Sequence, residues 1–75
     1  MKWQEHISSN PEILGGKPVI KGTRLSVEFI LERLADGWTE EMLLENFSSL
    51  THEAIQAVHS FSLENLREAN FVDLK

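Results

Sequence analysis

Apolar residues recur along this chain at two different spacings, and the change between them falls near residue 26. Beyond it, Val27, Ile30, Leu31 and Leu34 stand at i, i+3, i+4 and i+7, the spacing of one face of an amphipathic helix. Glu28, Glu32, Arg33 and Asp36 fall mostly on the other side. Ser26 precedes the pattern and suits an N-cap. Gly37 is placed to end the helix with a left-handed residue. Thr39 caps a second helix, with Glu40 and Glu41 in the first turn, where the helix dipole favours acids. Met42, Leu43, Leu44 and Phe47 are its apolar content, and Ser48-Ser49 break it. Thr51 caps a third helix whose buried face is Ala54, Ile55, Val58 and Phe61 and which continues through Leu63 and Leu66 toward Ala69. Residues 70–75 are expected to fray.

Before residue 26 the pattern is that of short extended pieces. His6-Ile7-Ser8 predicts a short strand, with Trp3 and Ile7 its apolar candidates, and Asn10-Pro11 marks a turn. Ile13-Leu14 is expected as a small apolar plug. Lys21-Gly22, between Val19-Ile20 and Thr23-Arg24-Leu25, reads as a tight turn joining two extended segments. Glycine there supplies a backbone angle that other residues resist, while Pro18 fixes its own angle and pushes Lys17 toward an extended conformation. The fold class is therefore mainly α: a small N-terminal β element of two or three strands followed by a tri-helical, helix-turn-helix-like bundle. The 75 residues make one domain, with a β and turn lead-in over 1–25, a helical core over 26–69 and a tail over 70–75.

Charge changes the picture more than composition does. Residues 1–27 carry Lys2, Lys17, Lys21 and Arg24 against Glu5 and Glu12, a net +2, whereas residues 28–75 carry three cations against ten acids, a net −7. An acidic surface repels phosphate and favours basic partners. A chain of this size buries only about 60% of its unfolded surface, and small scaffolds without staples gain stability by association, so a homodimer is expected. With no cysteine, disulfides and thiolate zinc sites are excluded. No apolar run approaches the roughly 20 residues that span a membrane, and the first residues lack the apolar segment of a signal peptide; the expected location is the cytoplasm.

The chemistry-bearing residues form no catalytic or cofactor constellation. Gly16-Lys17 is followed by Pro18, which breaks the phosphate-loop pattern, and the dinucleotide glycine motif is absent. His52 and His59 are seven apart, about 10 Å of helix rise, too far to share one metal ion without a third element. His52-Glu53 is followed by Gln56 where a zinc-protease motif needs His. The serines and threonines sit in caps and turns with no focus for a nucleophile triad. The expectation is a non-enzyme without metal or cofactor.

Gly16-Lys17-Pro18-Val19-Ile20-Lys21-Gly22-Thr23-Arg24-Leu25, followed by Val27, resembles the signature of a short prokaryotic family, domain of unknown function family 433. The match runs on through Gly37-Trp38-Thr39, Glu41, Leu44, Phe47, Leu50-Thr51, Glu53, Ile55 and Ala57. The family often has Pro where this chain has Ser26 and again where it has Ser48. The resemblance implies an antitoxin-like, helix-turn-helix-like domain, often encoded beside a PIN-like ribonuclease toxin. Two functions follow. The first is a protein-interaction module that binds and masks such a nuclease, with Trp38, Leu63, Leu66, Phe71 and Val72 as candidate partner contacts. The alternative is a DNA-binding autorepressor, with Lys17, Lys21, Arg24, Thr51, His52 and Gln56 as candidate DNA contacts and His59 a further base reader. Charge places the first ahead, because Thr51 to Phe61, the would-be recognition helix, contains no Lys or Arg. Trp38 is open between core anchor and interface anchor. For Arg24, pairing with an acid of the first helix is preferred over contact with a phosphate or a partner carboxylate.

Overall fold

The computed structural model describes residues 1–69. The tail at 70–75, with the candidate contacts Phe71 and Val72, lies outside the described residues. In order, the chain makes a 3-10 turn at Trp3–Glu5, strand β1 at Ile7–Ser8, strand β2 at Val19–Ile20, and helices α1 at Val27–Ala35, α2 at Glu40–Asn46 and α3 at His52–Glu68. Three helices and a two-stranded N-terminal sheet give the mainly α fold that the pattern predicts.

All three helices start at the expected caps. The side chains of Ser26, Thr39 and Thr51 accept hydrogen bonds from the backbone N–H of Phe29 (2.9 Å), Met42 (3.2 Å) and Ala54 (3.1 Å), each filling one donor that a helix leaves open in its first turn. Helix α1 ends as its glycine predicts. Gly37 has φ +96°, its N–H donates to the carbonyl of Leu34, and that of Trp38 donates to the carbonyl of Arg33, the paired bonds of a Schellman motif.

The strands pair antiparallel, with Ile7 opposite Ile20 and Ser8 opposite Val19. Val19 also bridges Ser26, so the chain doubles back on itself just before α1. Alternation would expose one face of so small a sheet, but Val19 and Ile20 are both buried: Ile20 joins the core cluster, and Val19 lies where the chain doubles back at Ser26.

Helix α3 is the element on which the rest packs: the first turn, β1, α1 and α2 all contact it. Ile30, Leu43, Ile55 and Val58 are fully buried at the centre, with Ile7, Ile20, Val27, Leu50, Ala54 and Ala57 around them. Trp3 does not extend β1. It lies in the 3-10 turn and meets Phe61 edge-on at 4.8 Å, and its buried indole N–H has no hydrogen-bond partner among the described residues. Three apolar residues depart from the expected burial. Leu14 is exposed rather than a plug, at φ +50°. Met42 and Leu31 are exposed as well, because α2 and α1 bury narrower stripes, centred on Leu43 and on Val27 and Ile30.

Candidate functional site

The signature residues build a hairpin, and most of their polar groups are used within it. The Ile20 carbonyl accepts the Thr23 N–H at 3.0 Å, and the Leu25 carbonyl accepts the Ile20 N–H at 2.9 Å. The Thr23 hydroxyl stitches the turn from inside: it donates to the Ile20 carbonyl (2.8 Å) and accepts from the Leu25 N–H (3.0 Å). Gly22 occupies the third position of the Ile20–Thr23 turn at φ +78°, which type II turns reserve for glycine. The Pro18 carbonyl accepts the N–H of Val27, the first residue of α1, and the Lys21 N–H donates to His6. Gly16 approaches Pro11 across the preceding loop. Lys17 pairs with Glu28 of α1 at 3.1 Å.

That pair corrects the preferred reading of Arg24. Of the two acids of α1, Glu28 is taken by Lys17 and Glu32 pairs with neither cation, and among the described residues Arg24 makes no ion pair. Lys21 and Arg24 are both exposed and stand beside the turn between α2 and α3. Arg24 lines a shallow cleft of about 530 Å³ with Asn46, Ser48 and Ser49. Lys21 lines another, of about 500 Å³, where Glu5 and Glu53 offset its charge.

The N-terminus of α3, where a recognition helix would read bases, is largely committed. The Thr51 hydroxyl caps the helix. The His52 Nδ1 meets Glu40 Oε2 of α2 at 2.6 Å. The hydrogen bond and the charge of Glu40, with a smaller push from Glu53, hold the His52 imidazole above its ordinary pKa of 6.5. Gln56 and His59 remain exposed. No group of three metal-binding side chains occurs among the described residues.

Trp38 is half-buried and belongs to a cluster that the sequence reading did not assemble. Its ring stacks near Phe47 (6.2 Å, 23°), Phe47 meets Phe29 edge-on (5.3 Å), and the Arg33 guanidinium lies 4.3 Å from the Phe29 ring centre. Phe29, four residues before Arg33 on α1, was the available signal, since residues four apart share a helix face. Trp38 is thus a partly exposed lid on an aromatic cluster. Leu63 and Leu66 are exposed on the distal half of α3, 42% and 48% accessible.

A family model described as Protein of unknown function (DUF433) matches residues 7–62. The chain is 37% identical over 62 residues to the uncharacterized protein y4eO of Sinorhizobium fredii (strain NBRC 101917 / NGR234), a match covering 83% of this chain and 28% of that protein. It therefore spans little more than a quarter of that relative's length. The crystal structure of a DUF433 member protein from Anabaena variabilis ATCC 29413, at 2.00 Å resolution, superposes with a TM-score of 0.79 at 27% identity, covering 89% of this chain and 66% of that one. With the signature hairpin, the three caps and the fully buried Ile30, Leu43, Ile55 and Val58 all inside the matched span, the chain belongs to the DUF433 family.

Proposed function

We propose that this chain is a protein-interaction module that binds and masks a basic partner, of the PIN-like nuclease kind suggested by the antitoxin-like character of the family it resembles. The observation that carries the reading is the surface of α2 and α3. It presents Glu41, Glu45, Glu53, Glu64 and Glu68 to solvent together with the uncovered Leu63 and Leu66. A site that grips RNA is basic, and it would meet exposed acids along both helices and, at Glu64 and Glu68, acids beside exposed leucines. The reading places the complex in the cytoplasm. No helix of the described residues is long and apolar enough to cross a membrane.

A second reading, DNA binding by the helix-turn-helix plan, draws support from Lys21 and Arg24 beside the α2–α3 turn. It ranks lower because Thr51 and His52, though exposed, already hold hydrogen-bond partners within the chain, and α3 carries no Lys or Arg before Arg67.

The test pairs capture of the neighbouring gene product with a promoter gel shift, each on wild type, Glu41→Lys/Glu45→Lys and Lys21→Ala/Arg24→Ala. Expected are tight capture of a nuclease, inhibition of its RNA cleavage, loss of both in the acid-reversed variant, and at best micromolar, salt-sensitive DNA binding. Nanomolar promoter binding that disappears in Lys21→Ala/Arg24→Ala, with no protein captured, would reverse the ranking.

A further inference from the structure

Helix α3 is longer than anything that supports it. Its 17 residues run about 26 Å, whereas the nine of α1 and seven of α2 run about 14 and 11 Å. Its fully buried stripe stops at Val58. The same face continues as Phe61, against which Trp3 packs edge-on, and then as Ser62, Asn65, Leu66 and Ala69; with Leu31 of α1 these α3 residues line a groove of about 480 Å³. Leu31 is 36% accessible and Leu66 48%.

The polar side chains in the groove are turned away from it. Ser62 Oγ donates to the Val58 carbonyl and Asn65 Nδ2 to the Phe61 carbonyl, each at 2.8 Å. One donor of each is thus held by the helix itself, so covering the groove costs those two bonds nothing, provided the Asn65 Oδ1 and its second N–H keep their access to water at the edge. An apolar surface with few free polar groups is suited to burial against another apolar surface.

Charge says what kind of surface. Glu64 lies three residues beyond Phe61, and Glu68 three beyond Asn65, each one helical step from a lining residue. Neither makes an ion pair among the described residues. On the α1 side, Glu28 lies three before Leu31 and already holds Lys17. Arg67 is one step from Leu63 and Glu64 and from none of the lining residues. The groove therefore has an apolar floor and an unpaired acidic rim on α3. A second copy would bring the same acids to the same rim.

We propose that this groove receives an amphipathic helical segment of a partner protein, with apolar residues at i, i+3 or i+4 and i+7 against Leu31, Phe61 and Leu66 and with Lys or Arg flanking them toward Glu64 and Glu68. The proposal rests on the reading of the chain as a partner-binding module and names the element that it binds.

Three synthetic 18-residue peptides serve as probes: a Leu/Lys amphipathic helix, the same helix with Lys changed to Glu, and a scramble of the first that keeps its composition but has no apolar stripe. The cationic helix should bind at about tens of micromolar and shift the NMR signals of Leu31, Phe61 and Leu66, with the other two at least tenfold weaker. Leu66→Glu, whose site is exposed and whose fold is checked by circular dichroism, should abolish binding. Glu64→Lys/Glu68→Lys should transfer the preference to the acidic helix. Equal binding of the scramble, shifts elsewhere on the surface, or indifference to Leu66→Glu overturns the proposal. So does a concentration-dependent doubling of mass that Leu66→Glu removes, which gives the groove to a second copy. A neighbouring nuclease captured equally by wild type and Leu66→Glu leaves the partner-binding reading standing and removes the groove from it. If no nuclease is captured while the peptide results hold, the groove stands and the nuclease reading falls.

Discussion

Gly22→Ala isolates the conformational demand of the signature turn. The residue sits at φ +78°, and a Cβ added there would meet no other atom within 4 Å. Overlap therefore contributes nothing, and the cost is backbone strain alone. An L-residue with a Cβ in this region is disfavoured by about 1–2 kcal/mol. Alanine also restricts the unfolded chain, which returns about 0.4–1 kcal/mol. The net expectation is a destabilisation of about 1 kcal/mol, a fall in Tm of roughly 4–8 °C for a domain of this size. Urea unfolding followed by circular dichroism should show a lower midpoint at unchanged slope, since the surface exposed on unfolding is the same. Gly22→Asn is the control: asparagine visits the left-handed region more readily and should lose less. An unchanged midpoint for alanine would refute the reasoning, as would an asparagine variant that costs as much as alanine, because strain at a positive φ distinguishes the two residues and bulk does not.

Two further outcomes follow from local geometry. Ser26→Ala should cost about 1 kcal/mol or more and exceed the cost of Thr39→Ala, because Ser26 is 9% accessible and water cannot replace its bond to Phe29 as it can at the exposed Thr39; equal denaturation midpoints would contradict this. The His52–Glu40 pair should show as a raised imidazole pKa in an NMR titration, returning toward 6.5 in Glu40→Gln. Because the folded pKa is the higher one, the pair stabilises fully below the unfolded value and its contribution is lost as pH rises through the folded value. The stability gap between wild type and Glu40→Gln should accordingly be wider at pH 5.5 than at pH 8.5, and a constant gap would sink the assignment.

What was legible in the sequence was what neighbouring residues decide among themselves. A cap is a side chain and a backbone N–H three residues apart, so Ser26, Thr39 and Thr51 could be read directly. Gly37 and the Lys21-Gly22 turn are likewise local. Depth of burial was less legible. Leu31 has the right period for a buried face, yet which edge of a helix is covered depends on where its neighbours end, and α1 meets the part of α3 that is running past the core. Trp3 could not be placed from its own surroundings, because its partner Phe61 lies 58 positions away in the chain. The Arg24 expectation failed for a similar reason. The path of the hairpin brings Lys17 to Glu28 and leaves Arg24 beside Asn46, Ser48 and Ser49.

The residues that identify the family and the surface proposed to bind a partner are therefore different parts of the molecule, and the difference has a physical basis. The hairpin is distinctive because its geometry is demanding. Gly22 meets a positive φ, Thr23 satisfies two backbone groups at once, Pro18 supplies an acceptor to the first residue of α1, and Lys17 ties the loop to that helix. Such requirements tolerate few residue types, so they make a recognisable pattern whatever the protein binds. Of its charged groups only Lys21 and Arg24 are left facing solvent without an ion pair among the described residues, and both sit beside the α2–α3 turn where any contribution to binding nucleic acid would be made. The distal half of α3 is under weaker local rules. It needs only helix-forming residues with an apolar stripe, and leucine, glutamate and arginine in many orders meet that need. A groove built there can change its fit and its rim charge without disturbing the hairpin, the caps or the core at Ile30, Leu43, Ile55 and Val58. On this argument, charge reversal at Glu64 and Glu68 should retune what is bound while leaving the unfolding midpoint nearly unchanged, whereas substitutions in the hairpin should do the opposite.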